Sequence, residues 1–232
     1  MCGCGVPVVA DFNRDGKLDL AFSTQQGLAV FLGNGDGTFG SPIVNPISGM
    51  PSIGDFNGDG RLDLALAVAD SNGVSVALGN GDGTFQNPST IPISGVVDVV
   101  TVADFNGDGI LDLATSSETG VTVILGIGDG TFGKQIVSPD LPNSTDSVAV
   151  ADFNADGILD LLVAHNKSSH ISYMLGNGDG SFTRAKVLNR PLVTSLISAD
   201  LNGDGRVDFG FVLNSGGSFG RSSVNIDLQT AP

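Results

Sequence analysis

The sequence predicts an all-β fold, a β-propeller of five four-stranded repeats with the fifth incomplete. Three observations carry that prediction. A nine-residue acidic motif recurs five times, its copies starting 44, 49, 48 and 48 residues apart. Short apolar runs of strand length, separated by turn residues, flank each copy. No stretch holds a helical hydrophobic period or a helix-capping pair. A repeat of roughly 40–50 residues carrying about four strands is the sequence signature of a propeller blade.

The repeats cover about 6–46, 47–94, 95–142, 143–191 and 192–232 within one domain. The first strands are expected in VPVVAD, PSIGD, VVTVAD, SVAVAD and SLISAD. The acidic motif follows each. Second strands come next: LDLAFS, LDLALAVA, LDLATS, LDLLVAH and VDFGFVL. Third strands are GLAVFLG, GVSVALG, GVTVILG, HISYMLG and SVNIDLQ. The first four of these run into a glycine-rich turn, at Leu32–Phe39, Leu78–Phe85, Leu125–Phe132 and Leu175–Phe182, and then into a fourth strand. Asn-Gly and Asp-Gly between strands are hairpin chemistry, since Gly tolerates positive φ. The fifth unit reaches Pro232 without that turn or a fourth strand, and nothing before the first unit supplies one. The expected architecture is therefore a closed five-blade ring, or an arc of a larger propeller whose raw edges invite self-association.

The acidic motifs read DFNRDGKLD, DFNGDGRLD, DFNGDGILD, DFNADGILD and DLNGDGRVD. All fit D-x-N-x-D-G-x-x-D. Oxygen ligands at alternate positions, followed by Gly at position 6 for a sharp bend, describe a loop that wraps a calcium ion. Side chains at positions 1, 3, 5 and 9 and the carbonyl at position 7 are the expected ligands. These are Asp11, Asn13, Asp15, Lys17 and Asp19 in the first loop, and Asp55, Asn57, Asp59, Arg61 and Asp63 in the second. The third has Asp104, Asn106, Asp108, Ile110 and Asp112, and the fourth Asp152, Asn154, Asp156, Ile158 and Asp160. The fifth has Asp200, Asn202, Asp204, Arg206 and Asp208. The expected cofactor is Ca²⁺, about one per repeat. Without it, three carboxylates in one loop repel each other. Position 2, Phe in four loops and Leu201 in the fifth, is apolar and reads as an anchor packed under a neighbouring strand.

EF-hand and dockerin loops carry a Glu at position 12 and lead into a helix. Here the chain continues as strand, with Leu20, Leu64, Leu113, Leu161 or Phe209 directly after the last Asp. Thrombospondin-type loops repeat at much closer spacing. The acidic loop running into a Leu-rich strand resembles the FG-GAP/VCBS repeat family, which includes the propeller domains of integrin α-subunits, from about Val6 to Leu228. The resemblance implies a propeller with Ca²⁺ loops between the first two strands of each blade, and a role in extracellular adhesion, carbohydrate binding or scaffolding. The chain departs from the integrin pattern at the end of the second strand, where FSTQ, VADS, TSSE and VAHN replace a V-G-A-P-like sequence. It is closer to a bacterial-type repeat.

Composition agrees. The formal charge is −15, and 15 of the 25 acidic residues lie in the five loops. Asp36, Asp82, Asp129 and Asp179 occupy the glycine-rich turns. So acidic a chain excludes nucleic acid and anionic membranes as partners. No apolar run is long enough for a membrane span, and no signal peptide is visible. Cys2 and Cys4, separated by one residue, are poorly placed for a disulfide and lack a second pair for zinc.

Several tempting motifs carry no function. Gly128–Lys134 imitates a phosphate-binding loop, but Gln135 follows and no helix does. His165 and His170 bracket the segment HNKSSH and read as surface residues of one loop. With no other histidine, a Ser-His-Asp triad has no second candidate, and no enzyme is expected. Connections alternate between two ends of a blade, so the acidic loops and glycine-rich turns share one end. The other end carries variable loops, where recognition is expected. The predicted function is a calcium-binding, non-enzymatic module for extracellular adhesion or recognition of a protein or glycan. A carbohydrate-binding lectin is the alternative, weakened by a single tyrosine and no tryptophan. A polysaccharide-active enzyme scaffold ranks below it.

Overall fold

Period-two side-chain alternation and turn-rich punctuation leave this chain few options besides strands, and strands are what form. The structure, a computed structural model, describes residues 7–68, 72–117, 120–138, 145–165, 170–183, 186–189, 193–214 and 222–227. Among these residues there is no helix, and the strands assemble into five antiparallel sheets.

The first sheet holds β1 (Val8–Ala10), β2 (Asp19–Thr24), β3 (Gly27–Phe31) and β4 (Ile43–Asn45). The second holds β5 (Met50–Gly54), β6 (Asp63–Ala67), β7 (Gly73–Ala77) and β8 (Ser89–Pro92). The third holds β9 (Val99–Ala103), β10 (Asp112–Ser117), β11 (Gly120–Gly126) and β12 (Phe132–Ser138). The fourth holds β13 (Thr145–Ala151), β14 (Asp160–His165), β15 (His170–Met174) and β16 (Lys186–Asn189). The fifth has three strands, β17 (Val193–Ala199), β18 (Asp208–Asn214) and β19 (Ser222–Asp227). Each sheet pairs its strands in sequence order, the up-and-down arrangement of a propeller blade.

Blades stack face to face in chain order. First strands lie beside first strands: β1 by β5, β5 by β9, β9 by β13 and β13 by β17. No comparable packing joins the fifth blade back to the first among the described residues.

Register decides which side chains meet. In the second blade, Ile53, Leu64 and Ala77 lie in one cross-strand row, and Ser52, Ala65 and Val76 in the adjacent row on the opposite face. The first row packs toward blade one, in a core with Phe12, Ala21, Leu28 and Val30. The second packs toward blade three, with Val100, Leu113 and Ile124. The same division repeats between blades three and four and between blades four and five. A middle strand with a blade on each side has no face in solvent. β6, β10 and β14 are accordingly buried throughout; β6 reads as a small and apolar run after its first Asp, whereas β10 also buries Thr115, Ser116 and Ser117, and β14 buries His165.

Leu64 is fully buried in the core shared by blades one and two. Leu64→Ala should cost about 2–5 kcal/mol in chemical denaturation. Val137→Ala, on the exposed side of β12, should stay within about 0.5 kcal/mol.

Candidate metal centres

Each acidic loop joins the first two strands of its blade, and its backbone is held by its own carboxylates. At position 1, one oxygen of Asp11, Asp55, Asp104, Asp152 and Asp200 accepts the amide of the position-6 glycine, at 2.8 Å in all five loops. The other oxygen accepts the position-5 amide at 3.1–3.2 Å. The Asn at position 3 accepts that amide too, at 2.8–3.2 Å. The Asp at position 5 accepts the amide of position 7, at 2.8–3.0 Å. This bond is the main reason Asp15 and Asp59 sit below the ordinary carboxylate pKa. Lys17 and Arg61 also pair with Asp15 and Asp59 at 3.6 and 3.4 Å, in exposed contacts of little energetic weight.

Position 9 plays a different part. Asp19, Asp63, Asp112, Asp160 and Asp208 open the second strands and are buried. One oxygen accepts the amide of position 2, at 2.7 Å from Phe12, 2.8 Å from Phe56, 2.9 Å from Phe105 and Leu201, and 3.1 Å from Phe153. In four blades the other oxygen accepts the amide of the glycine opening the glycine-rich turn. These bonds run from Gly33, Gly79 and Gly126 at 2.8 Å and from Gly176 at 2.9 Å. One carboxylate thus ties together the loop entrance, the second strand and the turn after the third strand. Loop and turn therefore share one end in these four blades, as expected. Any Cβ at Gly79 would overlap the Leu62 carbonyl oxygen, so the turn abuts the loop too closely for another residue. Burial, the largest cause, raises the pKa of Asp63, Asp112 and Asp160, and the loops' other aspartates add to it.

The turn acids are structural. Asp36, Asp82, Asp129 and Asp179 accept the hydroxyl and amide of Thr38, Thr84, Thr131 and Ser181, and these bonds hold their pKa values down.

The loop donors fit a hard cation in kind. All are carboxylate, amide or carbonyl oxygens, the set that calcium takes. Among the described residues no three Asp, Glu, His or Cys side chains already form a metal cage. The loop carboxylates are engaged with amides instead. Each such bond uses one lone pair, and a carboxylate has about four acceptor sites, so amide bonding leaves capacity for an ion.

Position 4 escaped sequence reasoning. Gly58, Gly107 and Gly203 have φ near +75° there, and Arg14 and Ala155 adopt φ of 61° at the same place. The signal was visible as Gly in three of the five loops. The position-2 anchors are buried as expected in four loops, but they pack on the following blade. Phe12 meets Phe85, Phe56 meets Phe132 and Phe105 meets Phe182, all edge to face. Leu201 is the exception and is exposed.

The histidines need correction. His165 is the last residue of β14 and fully buried, with Nε2 2.8 Å from Ser172 Oγ. His170 opens β15 opposite it, with ring centroids 5.1 Å apart. Strand pairing carries both into the sheet, although HNKSSH taken as one loop would place them outside it. Residues 166–169 lie outside the described residues, as do Cys2 and Cys4. Tyr173 is half-buried and donates to Asp160 at 3.3 Å, and burial pushes its pKa up.

Five repeated sheets, each carrying an acidic loop pinned by a buried aspartate, define a repeat propeller. Four overlapping matches to the FG-GAP-like repeat, at residues 11–66, 55–115, 104–163 and 152–211, cover most of the sequence, and the chain belongs to that family. Its fold is similar to a lectin of Agrocybe aegerita, solved for its specific recognition of non-reducing terminal N-acetylglucosamine. Identity is 23% and the TM-score 0.67, over 95% of this chain and 65% of the lectin. It is also similar to the Photorhabdus luminescens Tc holotoxin pore, at 22% identity and TM-score 0.59, over 96% of this chain and 11% of that one. A third similar structure is the V. cholerae biofilm matrix protein Bap1, at 19% identity and TM-score 0.53, over 95% of this chain and 37% of that one. This chain thus spans less than two thirds of each of these proteins. No curated protein sequence matches it.

Two substitutions should separate the roles within one loop. Asp112→Ala strips two amides of their acceptor, those of Phe105 and Gly126, and should cost roughly 2–5 kcal/mol even in EGTA. Asp108→Ala should lower the melting temperature mainly when calcium is present. Ala155→Gly should stabilise by about 1 kcal/mol by relieving a left-handed alanine, measurable by urea denaturation.

Proposed function

We propose that this chain is a calcium-stabilised, non-enzymatic recognition module of the extracellular space or cell surface. The observation that carries the reading is the fivefold recurrence of one oxygen-donor loop with the same internal hydrogen bonds. Ca²⁺ would be held by Asp11, Asn13, Asp15, the Lys17 carbonyl and Asp19 in the first loop, and by the corresponding residues of the other four. Bound there, the ion neutralises repelling carboxylates and fixes the loop. Weak extracellular modules of this kind load at millimolar calcium.

In this reading calcium is a fastening and the partner, a protein or glycan, binds at the opposite end of the blades. That end includes the turn at Gln25 and Gln26 and the connections before β5 and β9. Much of the rest, including 69–71, 118–119, 139–144, 166–169, 190–192 and 215–221, lies outside the described residues. A glycan-binding role is the second reading, favoured by the Agrocybe aegerita lectin, which shares this fold over 95% of the chain. A glycan array that includes terminal N-acetylglucosamine, run with calcium and with EGTA, tests it.

A ligand that binds only the folded state stabilises it by about 2.7 kcal/mol at a hundredfold excess over Kd. The melting temperature should therefore climb with added Ca²⁺ and fall in EGTA, with about five ions bound per chain by metal analysis. An unchanged melting curve would overturn the calcium reading.

Calcium binding should also depend on pH. Folding raises the pKa of Asp63, Asp112 and Asp160. Their contribution to calcium-free stability is complete below the ordinary Asp pKa of about 4 and is lost as pH rises through the raised values. Calcium binds the ionised form, so its affinity should fall as pH drops through those raised values, with protons released on loading. Calorimetric titration in buffers of different ionisation enthalpy reads both effects.

A further inference from the structure

The five acidic loops are built alike, yet in one of them the third strand supplies an extra donor to the buried aspartate. In every blade, register sets one third-strand residue opposite the residue two places beyond that aspartate. The pairs are Ala21 with Val30, Ala65 with Val76, Ala114 with Val123, Leu162 with Tyr173 and Gly210 with Ile226. Val and Ile side chains have nothing to donate. Tyr173 does, and its hydroxyl reaches Asp160 Oδ2 at 3.3 Å. The sheet and the packing around it aim the ring. Tyr173 lies between Leu162 and Lys186 on the neighbouring strands and sits edge to face on Phe153, with centroids 6.1 Å apart.

The same oxygen also accepts the Phe153 amide. That bond is 3.1 Å long, the longest of the five, where the others run 2.7–2.9 Å. The lengthening fits one oxygen divided between two donors. A carboxylate oxygen has two lone pairs, so Asp160 Oδ2 is filled. Oδ1, which accepts the Gly176 amide at 2.9 Å, keeps one site. In the first three blades Asp19, Asp63 and Asp112 accept one amide at each oxygen and keep a site on both. The contrast is cleanest between loops three and four, DFNGDGILD and DFNADGILD, which offer identical oxygen donors.

We propose that Tyr173 is a positioning residue that weakens the fourth loop toward calcium, by competing with the ion for Asp160. The inference rests on the reading of the loops as calcium sites and adds that they are unequal. The phenol steadies the calcium-free loop and lets go of Asp160 as the loop fills. A hydrogen bond of this length to a charged acceptor corresponds to about a tenfold difference in affinity.

Tyr173 is the only tyrosine and the chain has no tryptophan, so tyrosine emission reports on this residue alone. A carboxylate acceptor quenches a phenol. Emission should therefore brighten as the fourth loop loads, and stay flat in Asp156→Ala, which removes a ligand from that loop. Calcium uptake by equilibrium dialysis gives the affinity. Parent minus Asp156→Ala isolates the fourth loop with the phenol in place. Tyr173→Phe minus the Tyr173→Phe, Asp156→Ala double variant isolates it without the phenol. The first difference should lie at about tenfold higher free calcium than the second, and coincide with the emission change. Tyr173→Phe keeps the ring, and should melt below the parent in EGTA but level with it in excess calcium. Differences that coincide, or a second difference at the higher calcium, would overturn the proposal and leave the calcium reading intact. So would emission that stays flat while the fourth loop fills, or a melting gap that persists in excess calcium. Uptake by the parent no greater than by Asp156→Ala would instead overturn the calcium reading of this loop, and the proposal with it.

Discussion

The structure depends on a buried aspartate that accepts two backbone amides. A carboxylate placed out of water is costly unless its lone pairs are met, and here they are met by segments far apart in sequence. Asp63 receives Phe56 from one side and Gly79 from the other. Satisfying that one side chain closes the acidic loop, starts the second strand and docks the turn that follows the third strand. Repeated down the chain, it gives the blades the same closed loop and the same docked turn.

The blade-to-blade core adds what the aspartates cannot, a preferred order of stacking. Each interface is apolar on both sides, yet in the first three the following blade alone brings the phenylalanine turn. Loop chemistry and core packing meet at position 2 of each loop. There the backbone amide serves the aspartate while the ring of Phe12, Phe56 or Phe105 serves the next blade. Loosening an acidic loop is therefore felt at the joint beneath it.

Much of this was legible in the sequence. The repeat period, the four-strand plan, the unfinished fifth blade and the shared end of loops and turns follow from motif spacing and alternation, which are local signals. The double duty of Asp19 and its counterparts was not legible. A carboxylate in a ligand pattern looks the same whether it serves an ion, two amides or both. The burial of His165 is not legible locally, because it depends on its contacts with Ser172 and His170 across a hairpin. The left-handed position 4 was visible as a recurring glycine but concealed by Arg14 and Ala155, which accept the same backbone angle at some cost.

The repeated front-to-back joint bears on how such an array lengthens. Every joint seats the front of one blade on the back of the next, so a duplicated unit can enter at any joint without a new kind of interface. The family matches run from one acidic loop into the second strand of the next blade, spanning a joint each time. Each match therefore takes in one whole joint with part of a blade on either side, and adding a copy adds a blade without changing any joint already made.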